Sequence, residues 1–248
     1  MKRFLYIVTA LLLTANVCAE AQTVKELWKT GNQAYLDENY QKATQDYETI
    51  RALGYESDYL YLNLGNAYFK RGMIGKALLN YNRALRFSPS DKDVLYNISI
   101  ANKYVQDKID VIPTFFLQRW MNELRSSITS NAWAGMSLVF FTLMLVAILV
   151  YLLTSTLKWR KIGFYGALGL LALFVISAWV AGAQRKILLN PDKAIIMSSA
   201  APVKSSPDQS SKDLFVLHEG TKVYIEDNSM KGWKEIRLED GKKGWLPV

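Results

Sequence analysis

Few residues in this 248-residue chain could carry covalent chemistry: it holds one cysteine, Cys18, and one histidine, His218. A lone cysteine forbids a disulfide within the chain, and two such residues cannot build a Cys/His zinc cluster. A Ser-His or Cys-His nucleophile would have to take its base from His218. That residue ends the run Leu214-Phe-Val-Leu-His218, which reads as a strand. Gly72-Met-Ile-Gly75-Lys76 has some features of a phosphate-binding loop, but only two residues separate the glycines and Ala77 replaces the needed Ser or Thr. The chain is therefore read as non-enzymatic, with no metal, no cofactor and no catalytic residue. Non-covalent recognition is the chemistry expected instead, with a hydrolase using only Ser, Lys or carboxylates as the distant alternative.

Charge narrows the partner. The net charge of +8 divides as +1 over residues 1–21, +1 over 22–112, +4 over 113–161 and +2 over 162–248. Half the excess flanks the apolar middle of the chain, where Lys and Arg would meet anionic headgroups. Neither outer segment is a basic patch, so nucleic acid is excluded as a partner.

Two elements must hold any binding residues in place at a membrane. Residues 131–154 and 162–184 are uncharged up to the last residue of the first run and through Gln184 in the second, and both are almost continuously apolar. Each reaches the roughly 20 residues that span about 30 Å of hydrocarbon. Residues 155–161 between them carry Lys158, Arg160 and Lys161, as a cytoplasmic loop should. Arg119, Arg125, Arg185, Lys186 and Lys193 flank the outer ends, so the export signal decides the orientation. That signal is residues 1–21: Met1-Lys2-Arg3, an apolar run Phe4–Leu13, then Ala19-Glu20-Ala21 before a cleavage site at Gln22. Lipidation at Cys18 is the competing outcome. In either case both soluble parts are expected on the outer side of the cytoplasmic membrane. Gly163, Gly166, Gly169, Ala178 and Gly182 give the second span small surfaces for close packing.

Residues 22–112 repeat at a shift of 34: Gly31-Asn32 recurs as Gly65-Asn66, Ala43 as Ala77, and Tyr47 as Tyr81. Ala84 and Pro89 complete the second copy, and a third begins at Lys92 with one helix expected over about 91–106. Small residues where two helices cross, with aromatics around them, resemble the tetratricopeptide repeat (TPR). The resemblance implies helical hairpins that bind proteins in a groove lined by each first helix. Its groove positions fall on Asn32, Tyr35, Leu62, Asn63, Asn66, Phe69, Tyr96 and Lys103. The asparagines match those with which many TPR proteins hold a ligand backbone. The clamp for a C-terminal carboxylate is doubtful, because Trp28, Asp93 and Asn97 stand where it needs Lys or Arg. For Tyr35 and Phe69, packing between helices competes with ligand contact.

In residues 113–130, Leu117, Trp120, Met121, Leu124 and Ile128 share a helical face opposite Gln118, Arg119, Asn122, Glu123 and Arg125. This is read as an interfacial helix, with a capping helix for the repeats as the alternative. Residues 190–248 turn to five short alternating segments between Ser-, Pro- and Gly-containing turns. Gly232-Trp233 and Gly241-Lys-Lys-Gly-Trp245 resemble the bacterial SH3-like (SH3b) domain, a small barrel. Tyr224, Trp233 and Trp245 are its candidate ligand surface, with filling of the barrel as the alternative.

The expected fold class is a multidomain membrane protein: all-α TPR repeats, a two-helix transmembrane hairpin and a small all-β SH3-like barrel. That order of parts resembles the BatE-type family of bacterial aerotolerance (Bat) operons. The resemblance implies partners among membrane-bound Bat-type envelope proteins, some with von Willebrand A domains. A different reading makes the chain an envelope sensor whose tail binds peptidoglycan stem peptides.

Overall fold

A computed structural model describes residues 22–110, 115–189 and 192–247. The expected leader, Cys18 and the start of the 113–130 helix lie outside the described residues.

Helix α1 covers residues 22–36 and pairs with α2, Tyr40–Ala52. Helix α3, Asp58–Lys70, pairs with α4, Ile74–Phe87, and α5, Lys92–Ala101, follows. Side chains close the starts of three of them: Asn39 accepts from Lys42 N, Ser57 from Leu60 N, and Asp91 from Asp93 N and Val94 N. Gly72, at φ +73°, supplies the left-handed turn that releases the chain from α3 into α4. The repeat glycines work by contact. A Cβ on Gly65 would lie 2.6 Å from the Tyr81 ring, and one on Gly31 would lie 2.9 Å from the Tyr47 ring. Each glycine thus makes the hollow that its repeat's tyrosine fills. Tyr47, Tyr81, Leu60, Leu64 and Leu78 are buried in this core.

The third copy is shorter than expected. Helix α5 ends at Ala101, a single 3₁₀ turn covers Asn102–Tyr104, and Val105 leaves in extended conformation. The reason is tertiary: Asp107 has to reach the C-terminal sheet, where His218 and Thr221 hold it.

Helix α6, Phe116–Ser126, buries none of its residues, and Phe116, Leu117, Trp120, Met121 and Leu124 stay exposed. Helices α7, Ser130–Leu153, and α8, Leu157–Leu189, form an antiparallel hairpin. Both are long and apolar enough to cross a membrane, the first at about 36 Å by helical rise. Only 6% of the apolar stretch of α7 and 17% of that of α8 is buried in the molecule, unlike a soluble core. The connection is tighter than the expected 155–161 loop, because α8 already begins at Leu157. Lys158, Arg160 and Lys161 sit on its first turns, with the Arg160 guanidinium 5.4 Å from the centre of the Tyr151 ring. Of the glycines expected to pack the spans together, Gly163 makes a tight contact, since a Cβ there would meet Tyr151 N at 2.7 Å and Ala147 O at 2.8 Å, whereas Gly169 and Gly182 have nothing within 4 Å. At the other end Ser130 donates to Ala181 O, and Gln184 donates to Ile128 O and to Arg125 O.

The C-terminal strands are β1, Lys193–Ile195; β2, Ala201–Lys204; β3, Asp213–Leu217; β4, Lys222–Asp227; β5, Trp233–Arg237; and β6, Lys243–Pro247. They form one antiparallel sheet in the order β1-β4-β5-β6-β2-β3. Strand β2 is additional to the five expected. Pro202 disguised it, since proline is depleted from strands. Its pairing with β6 is confined to Lys204 opposite Trp245, so the missing N–H at Pro202 loses no bond there. Val203 from β2 is fully buried with Leu217, Val223, Ile236 and Leu246. Gly244 permits this, because a Cβ there would lie 2.4 Å from Val203 Cγ1.

Candidate partner-binding site

All the candidate groove residues but one lie on α1, α3 and α5, the first helix of each copy, and α3 touches α5 directly; Lys103 falls instead in the 3₁₀ turn Asn102–Tyr104 that follows α5. Their asparagines form a unit that repeats with the sequence. Tyr47 Oη donates to Asn32 Oδ1 at 2.7 Å, and Asn63 Nδ2 donates to the same oxygen at 3.3 Å. One repeat later, Tyr81 Oη and Asn97 Nδ2 each donate to Asn66 Oδ1 at 2.9 Å. The tyrosine hydroxyls keep their protons: burial pushes Tyr47 up to about 12 and Tyr81 upward as well. With both oxygens saturated from inside, the orientation of each amide is fixed. Asn32 and Asn66 are half-buried, and the Nδ2 group is the donor each leaves for a neighbour. An amide donor at each repeat can meet a carbonyl of an extended chain.

The remaining candidates divide by exposure. Tyr96 is 66% exposed and Lys103 is exposed, whereas Leu62 is half-buried against the core. Tyr35 packs edge-on against Tyr40 with centroids 5.3 Å apart, and Phe69 packs edge-on against Tyr104 at 5.7 Å. Burial raises the Tyr35 phenol, and Tyr40 adds to the effect. Asn97 and Tyr104 belong to the same surface. Asn97 occupies the slot of Asn63 one period on, which is the signal that finds it.

In the tail, Tyr224, Trp233 and Trp245 are half-buried and lie outside the core cluster, on the opposite face of the sheet from Val223, Ile236 and Leu246. Tyr224 is ringed by cations: Arg237, Lys222 and Lys193 stand 4.9, 5.6 and 5.9 Å from its ring centre. Burial raises its phenol.

His218 sits at the joint between helices and sheet. Its backbone N–H donates to Asp107 Oδ2 at 2.7 Å, and its Nδ1 lies 2.7 Å from Asp107 Oδ1. Thr221 Oγ1 donates to Asp107 Oδ2 at 2.5 Å. Burial pushes the Asp107 carboxyl up, but the bonds from Thr221 and His218 outweigh it and hold the group below the usual aspartate range. Beside it, Gly220 packs against Val105 and Leu78, and Glu219 accepts from Gly75 N at 3.1 Å. Helix α4 has no side-chain cap of its own, since Met73 stands at its N-cap. Glu219 supplies that cap from the sheet, next to the positive end of the helix. Among the described residues no group of His, Cys, Asp and Glu is arranged to hold a metal ion.

Comparison with known proteins agrees with the repeat reading. A family profile described as TPR repeat matches residues 65–103, from the middle of α3 into the 3₁₀ turn after α5. No curated protein and no solved structure matches the chain. The helical region thus contains a TPR repeat, the type of unit through which adaptors bind other proteins.

Proposed function

We propose that the chain is a non-enzymatic adaptor anchored in the cytoplasmic membrane by the α7–α8 hairpin. Its TPR groove and SH3-like tail face the outer side, and neighbouring envelope proteins dock through the groove. The observation that carries the reading is the repeated Tyr–Asn–Asn unit, which aims one amide donor per repeat from Asn32 and Asn66. The TPR profile supports it, as do two apolar helices whose surfaces the molecule itself leaves uncovered. Tyr35, Leu62, Asn63, Phe69, Tyr96 and Lys103 complete the groove. The order of modules supports a place in a Bat-type stress-tolerance assembly, with von Willebrand A domain proteins among the partners.

The test replaces both asparagines by aspartate. Asn32→Asp and Asn66→Asp keep an oxygen for each tyrosine and remove the outward donor. Losing two such bonds costs about 2 kcal/mol or more, roughly 30-fold in affinity. Proteins cross-linked to the wild-type chain in native membranes should disappear from the doubly substituted one, with membrane insertion unchanged. Undiminished capture refutes the groove assignment.

A second reading, recognition of peptidoglycan peptides by the tail, is favoured by the position of Tyr224, Trp233 and Trp245 away from the sheet's core. Retention of the full chain on purified sacculi, lost in Trp233→Ala with Trp245→Ala, would support it. Equal retention of both proteins would remove it.

A further inference from the structure

A cavity of about 680 Å³ lies away from the groove, where α4, α6, the outer ends of α7 and α8, and β1 meet. Four cationic side chains line it, Arg83 and Arg86 from α4, Arg125 from α6 and Lys193 from β1, against one carboxylate, Asp192. Among the described residues none of the four cations makes an ion pair. Arg86 is the most telling. One of its terminal nitrogens donates to Leu188 O at the end of α8, while its Nε is buried with no acceptor. A buried donor on a permanent cation is costly to leave unsatisfied, which points to an anion that the protein alone does not supply.

The walls say which anion. Asn122, Ser126, Thr129 and Ser130 add hydrogen-bonding groups beside the arginines, while Ile187 and Leu188 on α8 lead down onto the apolar surface of the hairpin. Helix α6 contributes Arg125 to the cavity and leaves Leu117, Trp120, Met121 and Leu124 exposed along its length. A polar, cationic head site continuous with uncovered apolar helix matches an amphiphile better than a free ion. We infer that this cavity binds the phosphate headgroup of an anionic phospholipid of the outer leaflet, clamping repeats, hairpin and sheet at one point. The inference rests on the proposed membrane anchoring. The lipid fixes how the groove is held above the bilayer.

The experiment is native mass spectrometry of the full chain from detergent, titrated with phosphatidylglycerol or with phosphatidylcholine of the same acyl chains. Wild type should retain phosphatidylglycerol selectively. Arg83→Gln with Arg86→Gln removes two charges near the surface and should weaken retention about 30-fold. Lys158→Gln with Arg160→Gln, at the opposite end of the hairpin, meets headgroups only at the open surface and should weaken retention far less than the Arg83 and Arg86 pair, and circular dichroism identifies a variant that fails to fold. In that event Arg125→Gln and Lys193→Gln, tested singly, must each weaken retention several-fold. Equal retention of both lipids, or indifference to all four cations, overturns the inference. So does glycerol phosphate or a polyglutamate peptide binding as tightly as the lipid, which would make this a soluble-phosphate or acidic-peptide site. If the protein instead leaves membranes on alkaline washing, the anchoring itself has failed, a result separate from loss of lipid selectivity.

Discussion

Replacing Asn66 separates what this residue does for the fold from what it does for a ligand. Tyr81 is 2% exposed, and its hydroxyl donates to Asn66 Oδ1 at 2.9 Å. Asn66→Ala leaves that hydroxyl without an acceptor, at a cost of about 1–3 kcal/mol. Asn97 loses its acceptor too, but it is half-exposed, so water can replace the bond. Taking about 2 kcal/mol as the net effect, amides of α4 should exchange with deuterium roughly 30-fold faster in the full chain. Asn66→Asp keeps the oxygen and should leave exchange nearly unchanged. Tyr81→Phe removes the donor itself, so adding it to Asn66→Ala should recover about 1 kcal/mol relative to simple addition of the two losses. Hydrogen exchange read by mass spectrometry on the peptide spanning Ile74–Phe87 follows all four variants against the wild type. If Asn66→Asp exchanges as fast as Asn66→Ala, or the two losses simply add, the oxygen is not held as described and the orientation of the free amide loses its basis.

The joint between helices and sheet should open in acid. Asp107 titrates below its usual range when folded, so its contribution is complete above its unfolded value near 4 and is lost as pH falls through the folded value. Spin labels at Lys103 and Ser229 should therefore give a narrow distance distribution from pH 7 down to the unfolded aspartate value near 4, broadening as the pH falls further, with Asp107→Ala broad throughout. A narrow distribution in Asp107→Ala at neutral pH would refute this. Glu219→Ala removes the cap on α4 and should cost about 1 kcal/mol, read as roughly fivefold faster exchange at the first turn of that helix, with Glu219→Gln intermediate. In a Cys18→Ser background, cysteines placed at Phe141 and Phe174, whose rings are 5.4 Å apart, should cross-link readily. Gly163→Leu should abolish the link, because backbone atoms at 2.7 and 2.8 Å cannot yield to a side chain there.

What the sequence made legible was whatever repeats or runs long. The 34-residue period marked Gly65 and Tyr81 as positions that recur in register, though their contact is seen only in the structure, and the apolar runs marked α7 and α8 by length alone. The asparagine pairs were half visible. Asn32 and Asn66 stood out, but their tie to Tyr47 and Tyr81 depends on how two helices pack. Strand β2 was hidden by Pro202, whose local preference opposes a strand until burial of Val203 overrides it. The joint was not legible at all. Asp107, His218, Glu219 and Gly75 are more than 100 residues apart across the two halves of the contact, and no local pattern reports such a meeting.

Sidedness is the claim on which docking at the envelope depends, and a membrane-impermeant maleimide measures it directly. With Cys18 replaced by serine, a cysteine at Ser206 in the exposed β2–β3 turn should label in intact spheroplasts. A cysteine at Lys161, at the start of α8, should label only after the membrane is broken. Labelling of Lys161→Cys in intact cells with Ser206→Cys protected would place both modules in the cytosol and contradict the account.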